Sequence, residues 1–155
     1  MSQVIEQLLV LIGLTFGQAM DHRVEMDIPV QGVIAVYGQN HYLHFPEQDE
    51  TQAMQSISST LAMHGRDIEA YAVVEPGVAQ NRVERIRIQS GSPAGSAVVF
   101  VEVRQHGQQL VVTTTDVEVN GAFLSGETLS EAMQIVSGAY SQEASRPQLR
   151  SGKPI

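Results

Sequence analysis

Hydrophobic and polar positions divide the chain into three helical segments and two groups of strands. Residues 8–16 are almost wholly apolar, a pattern that predicts an N-terminal helix buried on most of its sides. Gly13 and Gly17 lie four residues apart on this helix. That spacing has three readings: a crowded core contact with another backbone, a dimer contact, or the end of the helix near Gly17.

The first group of strands follows this helix. In residues 23–30, "RVEMDIPV", apolar and charged side chains alternate as they do in a half-exposed strand. Residues 32–38, "GVIAVYG", are continuously apolar between glycines, which predicts a strand covered on both faces. Residues 41–45 come after "GQN", so we expect these two segments to form a hairpin with its turn at "GQN".

A second helix is predicted from Asp49 to about Met63. Asp49 and Gln52, three residues later, form a variant of the capping box, and Gly65 is expected to end the helix. The apolar stripe of this helix consists of Ala53, Met54, Ile57 and Leu61.

The second group contains four strands in succession, which favours an antiparallel meander. In "AVVFVEVRQ", residues 97–105, alternation predicts one inward and one outward set of side chains. The inward set is Val99, Val101 and Val103, and the outward set is Phe100, Glu102 and Arg104. The Gly-rich residues 90–96 predict a hairpin loop, and Asn120-Gly121 predicts a tight type I′ turn.

A third helix is predicted to begin at Thr128, which forms a capping box with Glu131. We therefore expect residues 1–140 to form a single α+β domain. Its sheet is mainly antiparallel, with about five to seven strands, and one face packs against the N-terminal, middle and C-terminal helices. Residues 141–155 lack apolar content and predict a flexible C-terminal tail.

Composition and charge exclude several classes of function. The 155 residues are 43% hydrophobic and 5% aromatic with no Trp, which predicts one aliphatic core. Cysteine is absent, which excludes disulfides, Cys-based zinc sites and thiol catalysis. The formal charge of -8 opposes nucleic-acid binding. The apolar run is too short for a membrane span and lacks the basic residues of a secretory signal. We therefore expect a cytoplasmic protein with neither nucleic-acid nor membrane partners.

Histidines and carboxylates offer the first candidate chemistry. His41 and His44 are three residues apart, so on a strand they point to opposite faces and cannot chelate one ion without a bulge. Glu25 and Asp27 share one strand face and could act as paired carboxylates or bind a hard cation, but Arg23 beside them favours a solvated face. Residues 90–96 match neither a P-loop nor a nucleophile elbow. We predict no catalytic residue, no metal site and no cofactor.

Arginines form the most suggestive feature. Arg85 and Arg87 project from one strand, Arg104 projects from the next, and Arg82 lies near the turn. Four of the nine cations are therefore predicted to cluster, an arrangement suited to binding carboxylate or phosphate. The competing reading is that Glu102 and other cross-strand acids pair with them in an ordinary polar sheet face.

The order helix, three strands, helix, strands, helix in a small, acidic, Cys-free chain resembles the small chaperones that hold effectors for bacterial type III secretion. The resemblance is one of architecture and covers about residues 1–140. It implies a dimer that presents sheet and helix surfaces to an unfolded client, with no catalytic residues to carry over. The chain departs from that family by having about four strands, not two, before its final helix.

These observations predict a non-catalytic module, an adaptor or a secretion-chaperone-like protein, that binds another protein and forms a homodimer. The expected binding residues are Arg82, Arg85, Arg87 and Arg104. The alternative is a small-ligand-binding or hydrolytic domain whose pocket opens between sheet and helices. The polar lining of that pocket would come from His22, Glu25 or His41.

Overall fold

The computed structural model describes residues 1–23, 28–44, 50–63, 65–77 and 80–144. These residues form three helices and one seven-stranded sheet in which every neighbouring pair is antiparallel, in the order β2-β1-β3-β4-β5-β6-β7. The elements are α1 Gln3–Asp21, β1 Gln31–Val36, β2 Gln39–His44, α2 Glu50–Met63, β3 Ile68–Pro76, β4 Val83–Ser92, β5 Gly95–His106, β6 Gln109–Val119, β7 Ala122–Phe123 and α3 Gly126–Ala144. The predicted single α+β domain with an antiparallel sheet is confirmed.

Two helices cover the first face of the sheet. α1 lies across β1, β3, β4 and β5, and α3 lies beside α1 over β6. Alternate residues of each strand point toward them, as the period of two requires. The resulting core is aliphatic and includes Leu8, Ile12, Phe16, Ala72, Val74, Ile86, Ile88, Val99, Val101 and Val117, each at most 2% exposed.

α1 and α3 approach each other closely at two glycines. A Cβ atom on Gly13 would lie 2.5 Å from the carbonyl oxygen of Val136, and one on Gly17 would lie 2.7 Å from the Cβ of Glu143. The crowded core contact predicted from the glycine spacing is therefore confirmed. The reading in which the helix ends near Gly17 is wrong, because α1 continues to Asp21.

α2 lies on the second face of the sheet, which corrects the prediction that all helices share one face. Val73 contacts the α2 residues Ala53 and Ile57, whereas its chain neighbours Ala72 and Val74 contact the α1 side. The predicted stripe of α2 is confirmed, since Met54 and Leu61 join the same cluster. This cluster covers β1, β2 and β3, and the second face of β4 to β7 carries no helix from the described residues.

The first strands differ from their predictions in two places. Residues 28–30 belong to no strand, and residues 24–27 of the predicted "RVEMDIPV" strand lie outside the described part of the chain. The β1–β2 hairpin is confirmed, but its turn is at Tyr37 and Gly38 rather than at "GQN". Both turn residues have positive φ, 51° and 75°, as a two-residue type I′ turn requires.

Three further boundaries shift. Of residues 90–96, only Pro93 and Ala94 lie outside the strands, so the predicted hairpin loop is a tight turn. α3 begins at Gly126, and Thr128 therefore lies inside its first turn and does not cap it. α3 also extends to Ala144, four residues into the predicted tail, and Glu143 is buried. Asp49 and residues 145–155 lie outside the described part of the chain.

The apolar character of α1 extends beyond residues 8–16. Its 19 residues, Gln3–Asp21, are long and apolar enough to cross a membrane by length and composition. The argument that this segment is too short for a span therefore does not hold for the whole helix. In the folded protein 11 of these 19 residues are buried, because α1 packs on the sheet and on α3.

Candidate functional site

The candidate site is the second face of β4 to β7, over which the described residues place no helix; we call it the open face. Its side chains are the strand residues that point away from α1 and α3. They include Glu75 at the border with β3, Arg85, Arg87, Gln89, Val98, Phe100, Glu102, Arg104, Val111, Thr113, Asp116, Glu118 and Phe123. A shallow cleft of about 550 Å³ on this face is lined by Arg85, Arg87, Phe100 and Asp116, among other residues.

The structure brings three of the four predicted arginines onto the open face, each beside a carboxylate. Arg87 Nη1 is 2.8 Å from Glu75 Oε2. Glu102 accepts from two arginines, with Arg104 Nη2 at 3.1 Å and Arg85 Nε at 3.3 Å. The competing reading of cross-strand pairing is therefore confirmed for Arg85 and Arg87, whereas Arg104 pairs with Glu102 of its own strand, β5. Because their side chains stay 42–80% exposed, such pairs contribute little to stability.

The fourth arginine, Arg82, lies in the two-residue turn that opens β4. Asn81 and Arg82 have φ values of 54° and 62°, and the N–H and C=O groups of Gln80 and Val83 bond to each other across the turn. The carbonyl of Arg82 also accepts from the N–H of Gln105 at 3.1 Å, which ties the turn to β5. Arg82 therefore lies at the corner of the open face and not on it.

One row of side chains crosses four strands of the open face. Glu75, Arg87, Phe100 and Asp116 are direct cross-strand partners in β3, β4, β5 and β6. Direct partners in an antiparallel sheet lie on the same face, with Cβ atoms about 5 Å apart. The row therefore places a cation on one side of Phe100 and an anion on the other.

A β-bulge puts Asp116 in this row. The register between β5 and β6 shifts between Phe100 and Val101, whose partners are Asp116 and Thr114, so Thr115 is the extra residue. The Thr115 hydroxyl donates to the carbonyl of Phe100 at 3.2 Å. Sequence alternation alone assigns Asp116 to the same face as Val112, and for this reason the sequence reading missed Asp116 as a site residue.

Two aromatic side chains add apolar surface to the open face. Phe123 on β7 is 64% exposed, and its ring centroid lies 6.2 Å from that of Phe100. Phe123 follows the predicted Asn120-Gly121 turn, which is confirmed with φ values of 49° and 84°. The sequence signal that could have identified Phe123 is its position two residues after the Asn120-Gly121 turn, where a hairpin strand is expected.

The ionisation of Glu102 provides a direct test of the arginine geometry. Hydrogen bonds from Arg104 and then Arg85 hold the pKa of Glu102 below its ordinary value of 4.5. A lowered folded-state pKa stabilises the protein above the unfolded-state pKa, and this contribution is lost as the pH falls through the folded-state pKa. We expect NMR titration to show that Arg104→Ala raises the pKa of Glu102. Arg66→Ala should leave it unchanged, and an unchanged pKa in Arg104→Ala would contradict the geometry.

The structure describes two of the three residues predicted to line the alternative ligand pocket. His22 caps the C-terminus of α1, His41 is exposed on β2, and Glu25 lies outside the described residues. Clefts between sheet and helices exist beside α1 and α3, and neither histidine lines them. Among the described residues no group of three His, Asp or Glu side chains could hold a metal ion.

Comparison with known proteins adds no relative. Neither protein-family models, nor curated proteins, nor solved structures match this chain.

Proposed function

We propose that the chain is a non-catalytic protein-interaction module whose open face binds a protein surface. The observation that carries the proposal is the unequal cover of the sheet's second face. α2 covers β1 to β3, while β4 to β7 carry arginines and a phenylalanine pair over which the described part of the chain places no helix. An adaptor or a secretion-chaperone-like protein would use such a surface.

The composition of the open face supports binding rather than solvation alone. Arginine and aromatic residues are enriched where protein interfaces hold their binding energy. Phe123 keeps 64% of its surface exposed beside Phe100, so a protein partner can bury both rings. In a chain with a formal charge of -8, this concentration of arginines gives a partner's carboxylates a local place to bind.

The ion pairs of the three arginines define the chemistry of the partner further. Arg85, Arg87 and Arg104 share only Glu75 and Glu102 as ion-pair partners among the described residues. Arg85 is 80% exposed and keeps donors directed at solvent. A suitable partner therefore brings at least one carboxylate to the β4 side of the face and an apolar or aromatic group to Phe100.

The proposal predicts that binding depends on the open face and not on exposed apolar residues elsewhere. We expect Phe123→Ser to reduce binding of a partner about tenfold or more, because an exposed aromatic anchor loses its contact area. Met63→Ser is the matched control, since Met63 is 81% exposed on α2. The measurement is quantitative capture from source lysate with both variants, followed by calorimetric titration of the purified partner.

A partner that Phe123→Ser and Arg85→Ala both lose, while Met63→Ser retains it, supports the proposal once the purified proteins reproduce the difference. Equal binding by wild type and both open-face variants would overturn it. Circular dichroism of each variant checks that the sheet is intact.

A further inference from the structure

We propose that the open face binds a second copy of this chain, packed face to face about a twofold axis that runs along β5 above Phe100. This inference rests on the proposed function and names the partner of the same surface. It follows from the way charge is distributed on either side of Phe100.

The row through Phe100 is complementary to itself. Arg87 lies on β4, one strand to one side of Phe100, and Asp116 lies on β6, one strand to the other side. A twofold rotation about an axis along β5 exchanges the two sides and keeps each row at its own height. Arg87 then meets Asp116 of the second copy, Asp116 meets its Arg87, and the two Phe100 rings meet on the axis. An isologous contact of this kind forms every pair twice.

The neighbouring row follows the same rule. Gln89, Val98 and Glu118 are cross-strand partners in β4, β5 and β6. The rotation places the amide of Gln89 opposite the carboxylate of Glu118 in the second copy and stacks the two Val98 side chains. A polar donor therefore meets an acceptor on both sides of an apolar centre.

The row on the other side of Phe100 brings Glu102 of the two copies toward the axis. The same rotation brings Arg104, farther along β5, opposite its own copy. Within each subunit Glu102 is bonded to both Arg104 and Arg85, so these groups meet the second copy as ion-paired clusters and not as bare like charges. The alternative twofold axis, perpendicular to the strands, would place β4 on β4 and β6 on β6. At the height of Phe100, Arg87 would then face Arg87 and Asp116 would face Asp116, so the charges of this row favour the axis along β5.

The size of the face sets the strength of the contact. Three strands of about ten residues span a footprint of roughly 30 by 15 Å, or roughly 450 Å². A stable interface buries about 800 Å² per partner. The open face is smaller, so we expect a reversible dimer whose two sheets pack about 10 Å apart.

Charge reversal tests the inference with the full chain. Arg87→Glu and Asp116→Arg each place like charges opposite each other in a homodimer, so each should weaken self-association about tenfold or more in sedimentation velocity. Mixing the two variants restores both opposite-charge pairs between unlike chains. We therefore expect the mixture to form a heterodimer, detected by native mass spectrometry, although each variant alone is monomeric.

Two controls separate the charges of this face from general effects of charge. Glu131→Arg, on the exposed side of α3, matches Asp116→Arg, and Arg66→Glu, before β3, matches Arg87→Glu. Neither control should change the dimer. Their thermal unfolding, compared with that of the open-face variants, separates loss of the dimer from loss of the fold.

The dimer would be overturned if the wild-type chain remained monomeric at about 300 µM. At this concentration a dimer with a Kd up to the millimolar range is detected. A dimer that survives both single reversals would also overturn the inference. If the chain is monomeric but Phe123→Ser abolishes capture of another protein, only the dimer fails and the proposed function stands. If the chain is monomeric and Phe123→Ser also leaves capture of another protein unchanged, both proposals fail.

Discussion

Replacing Gly13 with alanine is expected to lower the free energy of unfolding by about 3 kcal/mol. The added Cβ atom would lie 2.5 Å from the Val136 carbonyl oxygen and 2.7 Å from the Cβ of Ala139. Neither neighbour can turn away, because one is backbone and the other is a methyl group held by it. α3 must therefore move off α1, and this loss exceeds the gain of about 1 kcal/mol in helix propensity. Urea unfolding measures the change.

Gly138 provides the matched control for this substitution. It lies on the exposed side of α3, and a Cβ atom there would meet nothing within 4 Å. Gly138→Ala should therefore stabilise the protein by about 0.5–1 kcal/mol, since only helix propensity and unfolded-chain entropy change. Equal effects of the two substitutions would contradict the close packing of α1 on α3.

Replacing Phe16 with alanine is expected to lower the free energy of unfolding by about 4 kcal/mol. Phe16 is 1% exposed, and its ring centroid lies 5.2 Å from that of Tyr140 on α3. Truncation removes a large apolar side chain and leaves a cavity between the two helices and the sheet. Because single domains have about 5–15 kcal/mol of stability, this one change removes a large share of it.

Phe123→Ala is the control with the same chemistry. Phe123 is 64% exposed, so its truncation should change the stability of the monomer by about 0.5 kcal/mol or less. A loss at Phe123 as large as that at Phe16 would mean that β7 is part of the core. Urea unfolding at low protein concentration keeps self-association out of the comparison.

Helices and strands were predictable where the signal is local. The apolar run of α1, the stripe of α2 and the alternation of β5 each follow from a period that the chain carries within one element. Asn120-Gly121 was predictable because few other pairs accept positive φ at both turn positions. The Tyr37–Gly38 turn was missed, since tyrosine is rare at positive φ. The turn is held by the pairing of β1 with β2 and by hydrogen bonds from the Tyr37 hydroxyl to Asp67 and from the Gly38 N–H to Glu69.

The candidate site was predictable only in part. Arg85, Arg87 and Arg104 lie on one face, as alternation predicted, but the partners of Arg85 and Arg87, Glu102 and Glu75, come from neighbouring strands. Pairing across strands depends on register, which local alternation does not specify.

The sequence by itself determined that the chain forms three helices, six of the seven strands of the described sheet and an aliphatic core, because each depends on periodicity and composition within a segment. Tertiary structure alone decided the two features that make the open face. α2 packs on the second face over β1 to β3, where Ile57 lies against Gly32 and in one cluster with Val73. As a result, no helix of the described residues covers β4 to β7. The bulge at Thr115 moves Asp116 onto that face. Both features depend on contacts between segments that are distant in the sequence. Such contacts produce no periodic pattern of residues.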